Sequence, residues 1–435
     1  MKARHFHPHL KRELTLFDAV VYGVGLIIGA GIYALIGKGA GLAGNSLWLS
    51  FVIGGAVALF TGLSYAELSS AFSKDAVEYN YVKHATKNRM AAFVIGLLTV
   101  FSGTAATATV AVGFAGYLKD LLGVPLIVAS TFVIALSAAI VFFGVRMSTR
   151  MVFILASLEI LGLLIILWMG GAHIMEFGPV DYFDFSGGFE GIFAATALVF
   201  FAFLGFEGIA NMSEEVKNSK KTVPIAMIIA IIITTVFYIL IAVSAVSIVD
   251  YRALSESGAP MTLVAETSAR ELGLNFPAGI IISVIALFST ASTVMINTMV
   301  ISRILYGLRF ERSLPPNIGA IHPKTNVPHI SIIAVSAAAI VLAAFGNISM
   351  LAGMADFAVF LTFFCVNVAL IILRADRSFK PRFRLPLSIG KVPITAVFGA
   401  LWCAFMLSTF EPEPIKYGSL LILAEILLFM HGNKP

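Results

Sequence analysis

Two apolar segments of the chain, near residues 17–36 and 191–212, carry glycine clusters that could interrupt a helix. A glycine in a helix interior costs about 1 kcal/mol relative to alanine, so several in one segment favour local unwinding. An unwound turn exposes peptide N–H and C=O groups that lipid cannot satisfy, and it must therefore face a cavity or a ligand. The glycines of the two clusters are Gly23, Gly25, Gly29, Gly31, Gly205 and Gly208.

The ends of such broken helices would present charge without any charged side chain. A half-helix beginning after Gly29 would expose the N–H groups of Ala30, Gly31 and Ile32, whose partial positive charge suits a carboxylate. A half-helix ending near residues 203–205 would expose carbonyl oxygens, whose partial negative charge suits an ammonium group. Together they fit the zwitterion of an α-amino acid. The competing interpretation is close helix packing, since glycines four residues apart also form a small-residue contact motif.

The composition places these segments in a membrane. Hydrophobic residues make up 59% of the 435 residues and charged residues only 12%, whereas soluble domains are roughly half apolar and a quarter charged. So few charges cannot cover a water-facing surface, which excludes a soluble enzyme, a disordered chain and a nucleic-acid-binding protein. Continuous apolar blocks of about 20 residues predict transmembrane helices and not barrel strands, and therefore an all-α integral membrane protein.

Twelve apolar blocks predict twelve transmembrane helices, with both termini on the same side of the membrane. If that side is the cytoplasm, 24 of the 29 Lys and Arg residues lie on cytoplasmic segments, as the positive-inside rule requires. We therefore expect a multi-pass protein of the plasma membrane with both termini cytoplasmic. The blocks lie near 17–36, 47–68, 90–118, 124–145, 151–170, 191–212, 224–248, 276–301, 330–345, 348–373, 392–410 and 417–430.

The two glycine clusters fall in spans one and six, which are the first helices of two five-helix halves. Paired interruptions at equivalent positions indicate an inverted-repeat transporter whose site lies near the bilayer midplane. We expect three regions along the chain. These are a cytoplasmic N-terminal tail over 1–16, a ten-helix transport core over 17–373, and a cytoplasmic loop with two peripheral helices over 374–435.

Four stretches of sequence combine glycine, aromatic and acidic residues at recognisable spacings. They are GLIIGAGIY (25–33), LSYAELSSAF (63–72), FAFLGFEGIAN (201–211) and SRILYGL (302–308). Together they resemble the amino acid–polyamine–organocation (APC) family of transporters, over most of the chain. The sequence departs from the family pattern in the cytoplasmic loops, at 73–77, at Asn218–Ser219 and at 309–313, which affects the inner gate more than the substrate site.

The resemblance implies ten core helices in two inverted repeats, two peripheral helices and transport by alternating access. It implies that a substrate carboxylate meets the N–H groups of Ala30 and Gly31, and that an ammonium group meets the carbonyls of Ile27, Phe201 and Leu204. Phe201 aligns with an aromatic residue that closes over the substrate from outside. The expected substrate-binding residues are Ile27, Ala30, Gly31, Ile32, Phe201, Ala202 and Leu204.

Glu207 lies beside the second glycine cluster, and we expect it to brace the unwound turn through hydrogen bonds. Direct contact of this carboxyl group with substrate is the alternative. Gly29 and Gly205 would permit the two turns, since glycine adopts conformations that other residues avoid. Phe201 would serve as the gate.

Transport of this kind is expected to be coupled to a cation, and span eight offers hydroxyl groups for one. Its three hydroxyls lie at positions i, i+3 and i+4, on one helix face, with the spacing that sodium-coupled relatives of the fold use to bind Na+. Family members coupled to protons carry a lysine in span five where this chain has Ser157. The competing interpretation is that the hydroxyls bond back to their own helix. Carbonyls or hydroxyls of five residues form the expected sodium site, namely Gly25, Ile28, Ser289, Ser292 and Thr293.

Glu159 in span five is the proton-carrying alternative to the sodium site. An ionisable residue within a span is costly and is a functional hypothesis by default. It lies two positions beyond Ser157, about 200° around the helix, so it need not face the same cavity. A structural hydrogen bond to a neighbouring helix is the competing interpretation.

Glu207 is the one acidic residue that the sequence clearly assigns to the pocket, so we expect neutral L-amino acids as substrates. Cationic amino acids or polyamines stay open, because carbonyls and aromatic rings can also hold a cation. Exchange and uniport are alternatives to coupled transport. An intramembrane enzyme would need a metal or nucleophile motif, and an amino acid sensor would keep the fold without transport. We expect no enzymatic activity, no cofactor beyond a sodium ion or proton, and no nucleic acid partner.

Overall fold

The computed structural model describes residues 15–72, 77–144, 149–209, 216–310, 314–376, 378–385, 387–410 and 412–432. Most of the expected N-terminal tail, 1–16, lies outside these residues. So do 73–76 and 311–313, in the loops where the sequence departs from the family pattern.

The described chain folds almost entirely into α-helices, so the all-α fold class is confirmed. A hairpin of two-residue strands, β1 (Ser388–Ile389) and β2 (Val392–Pro393), pairs antiparallel. The helices are α1 (Leu16–Ile27), α2 (Ala30–Ala43), α3 (Leu47–Ala71), α4 (Val77–Thr86), α5 (Arg89–Leu122), α6 (Leu126–Phe142), α7 (Thr149–Phe177), α8 (Gly188–Val199), α9 (Ser219–Ile248), α10 (Tyr251–Glu256), α11 (Pro260–Glu271), α12 (Ala278–Gly307), α13 (His329–Phe345), α14 (Ile348–Ala375), α15 (Ile394–Ser408) and α16 (Pro412–Gly432). Short 3₁₀ turns lie at Gly44–Ser46, Phe200–Phe203, Leu308–Phe310 and Pro316–Gly319.

In the part of the chain that the structure describes, each of the twelve apolar blocks coincides for most of its length with helical structure. Within the described residues, eight helical segments are long and apolar enough to cross a membrane, and four apolar helices are shorter, namely α1, α6, α13 and α15. Large apolar side chains stand exposed on outward helix faces, such as Phe132, Phe288 and Leu427. An apolar exterior of this kind suits lipid, and the protein is a multi-pass integral membrane protein.

The first span is interrupted where its glycines predict. Helix α1 ends at Ile27 and α2 begins at Ala30. The N–H group of Gly29 donates to the carbonyl of Ile27 at 2.8 Å, whereas in a continuous helix it would donate to the carbonyl of Gly25, four residues back. The span is therefore two helices joined by an extended turn.

The sixth span is interrupted as well. Helix α8 ends at Val199, the 3₁₀ turn Phe200–Phe203 follows, and Leu204 is extended. Gly205 then has φ +117°, a backbone conformation that L side chains rarely adopt. The glycine is therefore required at this break for the turn itself.

Neighbouring helices enclose the two interruptions. Helix α9 packs against α1, α3 and α7, while α12 packs against α5 and α7. The breaks thus lie inside the bundle and away from lipid, as peptide groups without helical partners require.

The segment after α9 forms two short helices, α10 and α11, which lie against α2 at one end of the bundle. Lys38 Nζ donates to the carbonyl of Ser255, and the hydroxyl of Tyr117 donates to the carbonyl of Tyr33 at 2.8 Å. Leu254 is fully buried beneath this cover. The end of span one away from the positively charged loops is therefore closed.

Candidate substrate and ion site

The two interruptions pack directly against each other. A Cβ atom at Gly31 would lie 2.7 Å from the Cα atom of Ala202, and one at Gly205 would lie 2.6 Å from the carbonyl oxygen of Leu26. Real Cβ atoms do not approach other atoms so closely. Glycine at these two positions therefore lets the broken backbones of spans one and six touch.

Tyr238 of α9 connects the same two breaks. Its hydroxyl oxygen lies 2.8 Å from the carbonyl oxygen of Ile27 and 2.7 Å from that of Ala202. The side chain is fully buried, and a buried tyrosine usually finds a partner for its hydroxyl. The sequence analysis missed this residue, although a lone tyrosine in the middle of an apolar block was a signal for a buried polar contact.

The start of α2 offers peptide N–H groups to the site. Gly29 precedes the helix and gives it no side-chain cap, and the first N–H groups of a helix have no partner within it. The N–H group of Ala30 faces the hydroxyl of Thr293 at 3.4 Å, a long contact. Ala30 and Gly31 line the central cavity, while the Ile32 side chain is fully buried elsewhere.

The carbonyl groups at the breaks differ in the number of hydrogen bonds that they already accept. The carbonyl of Ile27 accepts from the Gly29 N–H group and lies within hydrogen-bonding distance of the Tyr238 hydroxyl. The carbonyl of Phe201 accepts from the Leu204 N–H group at 3.2 Å and keeps its second lone pair. Of the carbonyls expected to meet an ammonium group, that of Ile27 is therefore the least free.

A cavity of about 240 Å³ adjoins both breaks. It reaches from them along the ends of α3, α4, α5, α7 and α12 that lead to the positively charged loops. Every residue expected in the site lines it, except Ile28, Ile32 and Ser289. The cavity therefore extends from the breaks toward the predicted cytoplasmic side, while α10 and α11 cover the opposite end of the bundle.

Glu207 contacts the turn that it was expected to brace. The N–H group of Gly205 donates to Glu207 Oε2 at 3.0 Å. Residue 205 has a positive φ and lies outside a helix, so its N–H group has no helical carbonyl to donate to. The Glu207 carboxylate supplies the acceptor instead. The carboxyl group also lines the cavity.

The premise that Glu207 is the only acidic residue in the pocket was wrong, since Glu78 and Glu159 also line the cavity. Glu78 accepts from the hydroxyl of Tyr65 at 3.0 Å. It comes from the short helix α4, which follows a loop predicted to be cytoplasmic, and a charged residue there is typical of a solvated surface. Only the folding of α4 against α5 and α14 brings it to the cavity.

The span-eight hydroxyls lie beside Glu159. Ser292 Oγ is 2.9 Å from the carbonyl of Ser289 and 3.3 Å from Glu159 Oε1, and Thr293 Oγ1 donates to the carbonyl of Ser289 at 2.9 Å. The back-bonding that competes with sodium binding is therefore present. Glu159 lines the same cavity as Ser292 and Thr293, so the two sets of candidate coupling groups lie side by side. The main-chain carbonyl of Glu159 accepts from the Tyr33 hydroxyl at 2.8 Å.

A buried ion pair lies at the inner end of the bundle. Arg374 Nε donates to Glu67 Oε1 at 2.7 Å, Arg374 Nη2 also contacts Glu67 Oε2, and the N–H group of Leu385 donates to Glu67 Oε2 at 2.9 Å. Both charged side chains are almost completely buried. The pair fastens the end of α14 and the following segment to α3.

Comparison with known proteins identifies the chain's relatives. A sequence profile of the family described as amino acid permease matches residues 14–431. The chain is 28% identical to the branched-chain amino acid permease BcaP of Bacillus subtilis, over 98% of this chain and 94% of that protein. It is 30% identical to the methylthioribose transporter of Bacillus subtilis, over 100% and 96% of the two chains. It is 29% identical to cationic amino acid transporter 3, mitochondrial, of Arabidopsis thaliana, over 86% of this chain and 64% of that protein.

Proposed function

Because the chain belongs to the amino acid permease family, whose members are transporters and not enzymes, we propose that it carries amino acids across the plasma membrane by alternating access. The observation that supports this most is the contact of two broken helices at one cavity. An exposed helix start and exposed carbonyls meet there, which provides for both charged groups of an amino acid. The cavity extends toward the predicted cytoplasmic end of the bundle, and α10 and α11 cover the other end, which is the arrangement expected of one state of such a cycle.

The proposal includes twelve membrane crossings, a five-plus-five inverted repeat and two peripheral helices, with both termini in the cytoplasm. The matching breaks at Gly29 and Gly205 support the repeat. The distribution of lysine and arginine supports the orientation. Tags at the two termini should be accessible to protease only after the membrane is permeabilised.

For the substrate, we propose a neutral L-amino acid. Its carboxylate would meet the N–H groups of Ala30 and Gly31, and its ammonium group the carbonyls near Phe201 and Leu204. Three acidic side chains line the cavity, but each has a protein partner: Glu207 binds the Gly205 N–H group, Glu78 binds Tyr65, and Glu159 binds Ser292. These contacts assign Glu207 and Glu78 to the protein's own structure, and Glu159 is assigned to the cation site proposed below, so the proposal provides no carboxylate for a cationic side chain. The relative named as a branched-chain amino acid permease agrees with this choice, while the one named as a cationic amino acid transporter supplies the competing substrate class.

For the coupling ion, we propose a cation site between spans one, five and eight, with sodium as the first candidate and a proton on Glu159 as the second. Ser292 and Thr293 contribute hydroxyl oxygens there, and the break frees carbonyls such as that of Gly25 from helical bonding. The close approach of Ser292 to Glu159 supports a shared site in which either cation would compensate the carboxylate charge.

The test is reconstitution of the purified protein into liposomes, followed by uptake of labelled amino acids with sodium and pH gradients imposed separately. We expect saturable uptake and counterflow of neutral amino acids such as leucine. If labelled arginine or putrescine shows counterflow and neutral amino acids do not, the substrates are cationic and not neutral. Absence of saturable uptake and counterflow for every amino acid tested would contradict the transport proposal.

A further inference from the structure

Asp356 is a buried carboxyl group to which the proposed cycle gives no task. It lies in α14, its side chain is fully buried, and no charged or polar side chain of the described residues donates to it; the nearest donor is the backbone N–H group of Phe201, outside ordinary hydrogen-bond geometry. An unpaired ionised carboxylate away from water costs several kcal/mol. Burial without a counter-ion therefore favours the neutral, protonated form of this group in the arrangement described here.

The position of Asp356 relates it to the proposed outer gate. Val359 and Phe363 lie three and seven residues further along α14, on the same helix face, and both line the cavity. Asp356 lies beyond them, toward the end of α14 opposite to Arg374 and the inner ion pair. It is therefore on the outer side of the substrate site.

The covering of Asp356 comes from span six and α5. The 3₁₀ turn Phe200–Phe203 packs against α14, and the rings of Phe200 and Phe360 lie 4.5 Å apart. On the α5 side, Ser102 Oγ donates to the carbonyl of Ala355 at 3.1 Å. The turn that covers the carboxyl group is thus the same turn that carries the gating residue Phe201.

We propose that Asp356 is a proton-binding site of the transport cycle, which takes its proton from the extracellular side and lets the outer gate close only when it is protonated. This inference rests on the proposed function. When the turn of span six withdraws, water reaches the carboxylate, which then exchanges a proton with the outside. When the turn returns, the neutral carboxylic acid fits beneath it, whereas the anion would be buried with no counter-ion and with only the Phe201 N–H group as a nearby donor. The proton leaves to the same side at the next opening, so the site controls closure.

Other titratable groups near α14 do not replace Asp356. Glu67 and Arg374 pair with each other 18 residues further along, about 27 Å at 1.5 Å per residue. Glu425 of α16 is another largely buried acid, and its helix meets α14 through Pro414 beside Gly353 and Gly418 beside Phe357, which puts residue 425 about two turns closer to the predicted cytoplasmic side. Other acidic and basic side chains on the helices around α14 are exposed or have partners in other contacts: Lys38 with Ser255, Glu78 with Tyr65, Lys83 with Tyr79, His84 with the carbonyl of Asn80, and Arg89, Lys119, Asp120, Glu190, Glu413, Lys416 and His431 at surface positions.

The first experiment measures the proton directly and needs no substrate. Infrared spectra of the purified protein in lipid are recorded for the native chain, for Asp356→Asn and for Glu425→Gln. We expect a band of a protonated carboxyl group at neutral pH that Asp356→Asn removes and Glu425→Gln retains. If the spectrum of protonated carboxyl groups is the same with and without Asp356, the proposal is wrong.

The second experiment measures closure through transport. Counterflow of labelled leucine is followed at fixed internal pH while the external pH is raised. We expect the native rate to fall by up to about tenfold per unit of pH once the group ionises, the Glu425→Gln rate to follow it, and the Asp356→Asn rate to stay constant. An Asp356→Asn rate with the native pH profile would overturn the proposal. The proposal would also be wrong if the counterflow rate depended on external sodium, tested by replacement with choline, and Asp356→Asn abolished that dependence. The site would then bind sodium. If the native chain carries no amino acid, the proposed function fails, and the infrared comparison still decides the proton site.

Discussion

The hydroxyl oxygen of Tyr238 lies 2.8 Å from the carbonyl oxygen of Ile27, in the break of span one. The same hydroxyl lies 2.7 Å from the carbonyl of Ala202, in the break of span six. A hydroxyl group has a single proton to donate, so it can serve only one of the two carbonyls at a time. Tyr238 of span seven therefore lies between the two broken backbones and can donate to either of them, while the other carbonyl then lacks this donor.

Replacing this hydroxyl should loosen the substrate site. In Tyr238→Phe, a buried carbonyl loses its donor, at a cost of about 1–3 kcal/mol. We expect the KM for uptake to rise by about tenfold, since 1.4 kcal/mol corresponds to a factor of ten, and the melting temperature to fall. Tyr182→Phe, which removes a hydroxyl bonded to Ser247, is the matched control and should leave KM unchanged. Equal KM values for all three proteins would show that the bridge has no part in binding.

A methyl group at Gly31 should separate the two breaks. Its Cβ atom would meet the main chain of Ala202 at 2.7 Å, and overpacking of this kind costs about 1–3 kcal/mol. We expect Gly31→Ala to reduce uptake by about tenfold or more. Gly171→Ala is the control, because nothing lies within 4 Å of a Cβ atom there and alanine favours the helix. Normal uptake by Gly31→Ala would mean that the close contact of the breaks is dispensable.

Breaking the inner ion pair should destabilise the protein strongly. In Arg374→Leu the buried Glu67 carboxylate loses its counter-ion, which typically costs about 3–5 kcal/mol. The double variant Glu67→Leu with Arg374→Leu leaves no unpaired charge and should recover most of the lost thermal stability in detergent. The pair of His173 with the more exposed Glu271 provides a comparison, and Glu271→Gln should change stability by less than about 1 kcal/mol. A single variant as stable as the native protein would contradict this account.

Glu159→Gln separates the two candidate coupling ions. If the carboxyl group carries the transported proton, uptake driven by a pH gradient disappears while counterflow of substrate persists. If sodium is the coupling ion, replacing it by choline stops driven uptake in the native protein. The measurements with a pH gradient and with sodium use the same liposome preparation, so the protein content and the passive leak are matched. Normal pH-driven uptake by Glu159→Gln would remove the proton role.

The sequence predicted the parts of this molecule that depend on local properties. Continuous apolar blocks predicted the helices, and clustered glycines predicted both breaks, because helix formation and unwinding depend on residues close together in the chain. The expected brace from Glu207 to Gly205 spans only two residues, which is why its position beside the glycines indicated it.

Contacts between distant segments could not be predicted in the same way. Glu67 and Arg374 are 307 residues apart, and Tyr238 is 211 residues from Ile27. No spacing rule connects such residues, because packing of whole helices decides which polar groups share a buried environment. The acidic lining of the cavity was underestimated for this reason, since Glu78 and Glu159 reach it only through the packing of α4 and α7.

The contact of Gly31 with Ala202 has a consequence for how this protein can change over generations. The groups proposed to hold the charged ends of the cargo belong to the peptide chain, so exchanging side chains around the cavity leaves them in place. Residues such as Thr99, Ala106 and Ile296, which line the remaining wall, are then free to vary and to admit substrates of different shape. A few substitutions there can change the substrate selectivity, while the peptide groups proposed to bind the charged ends of the substrate stay the same.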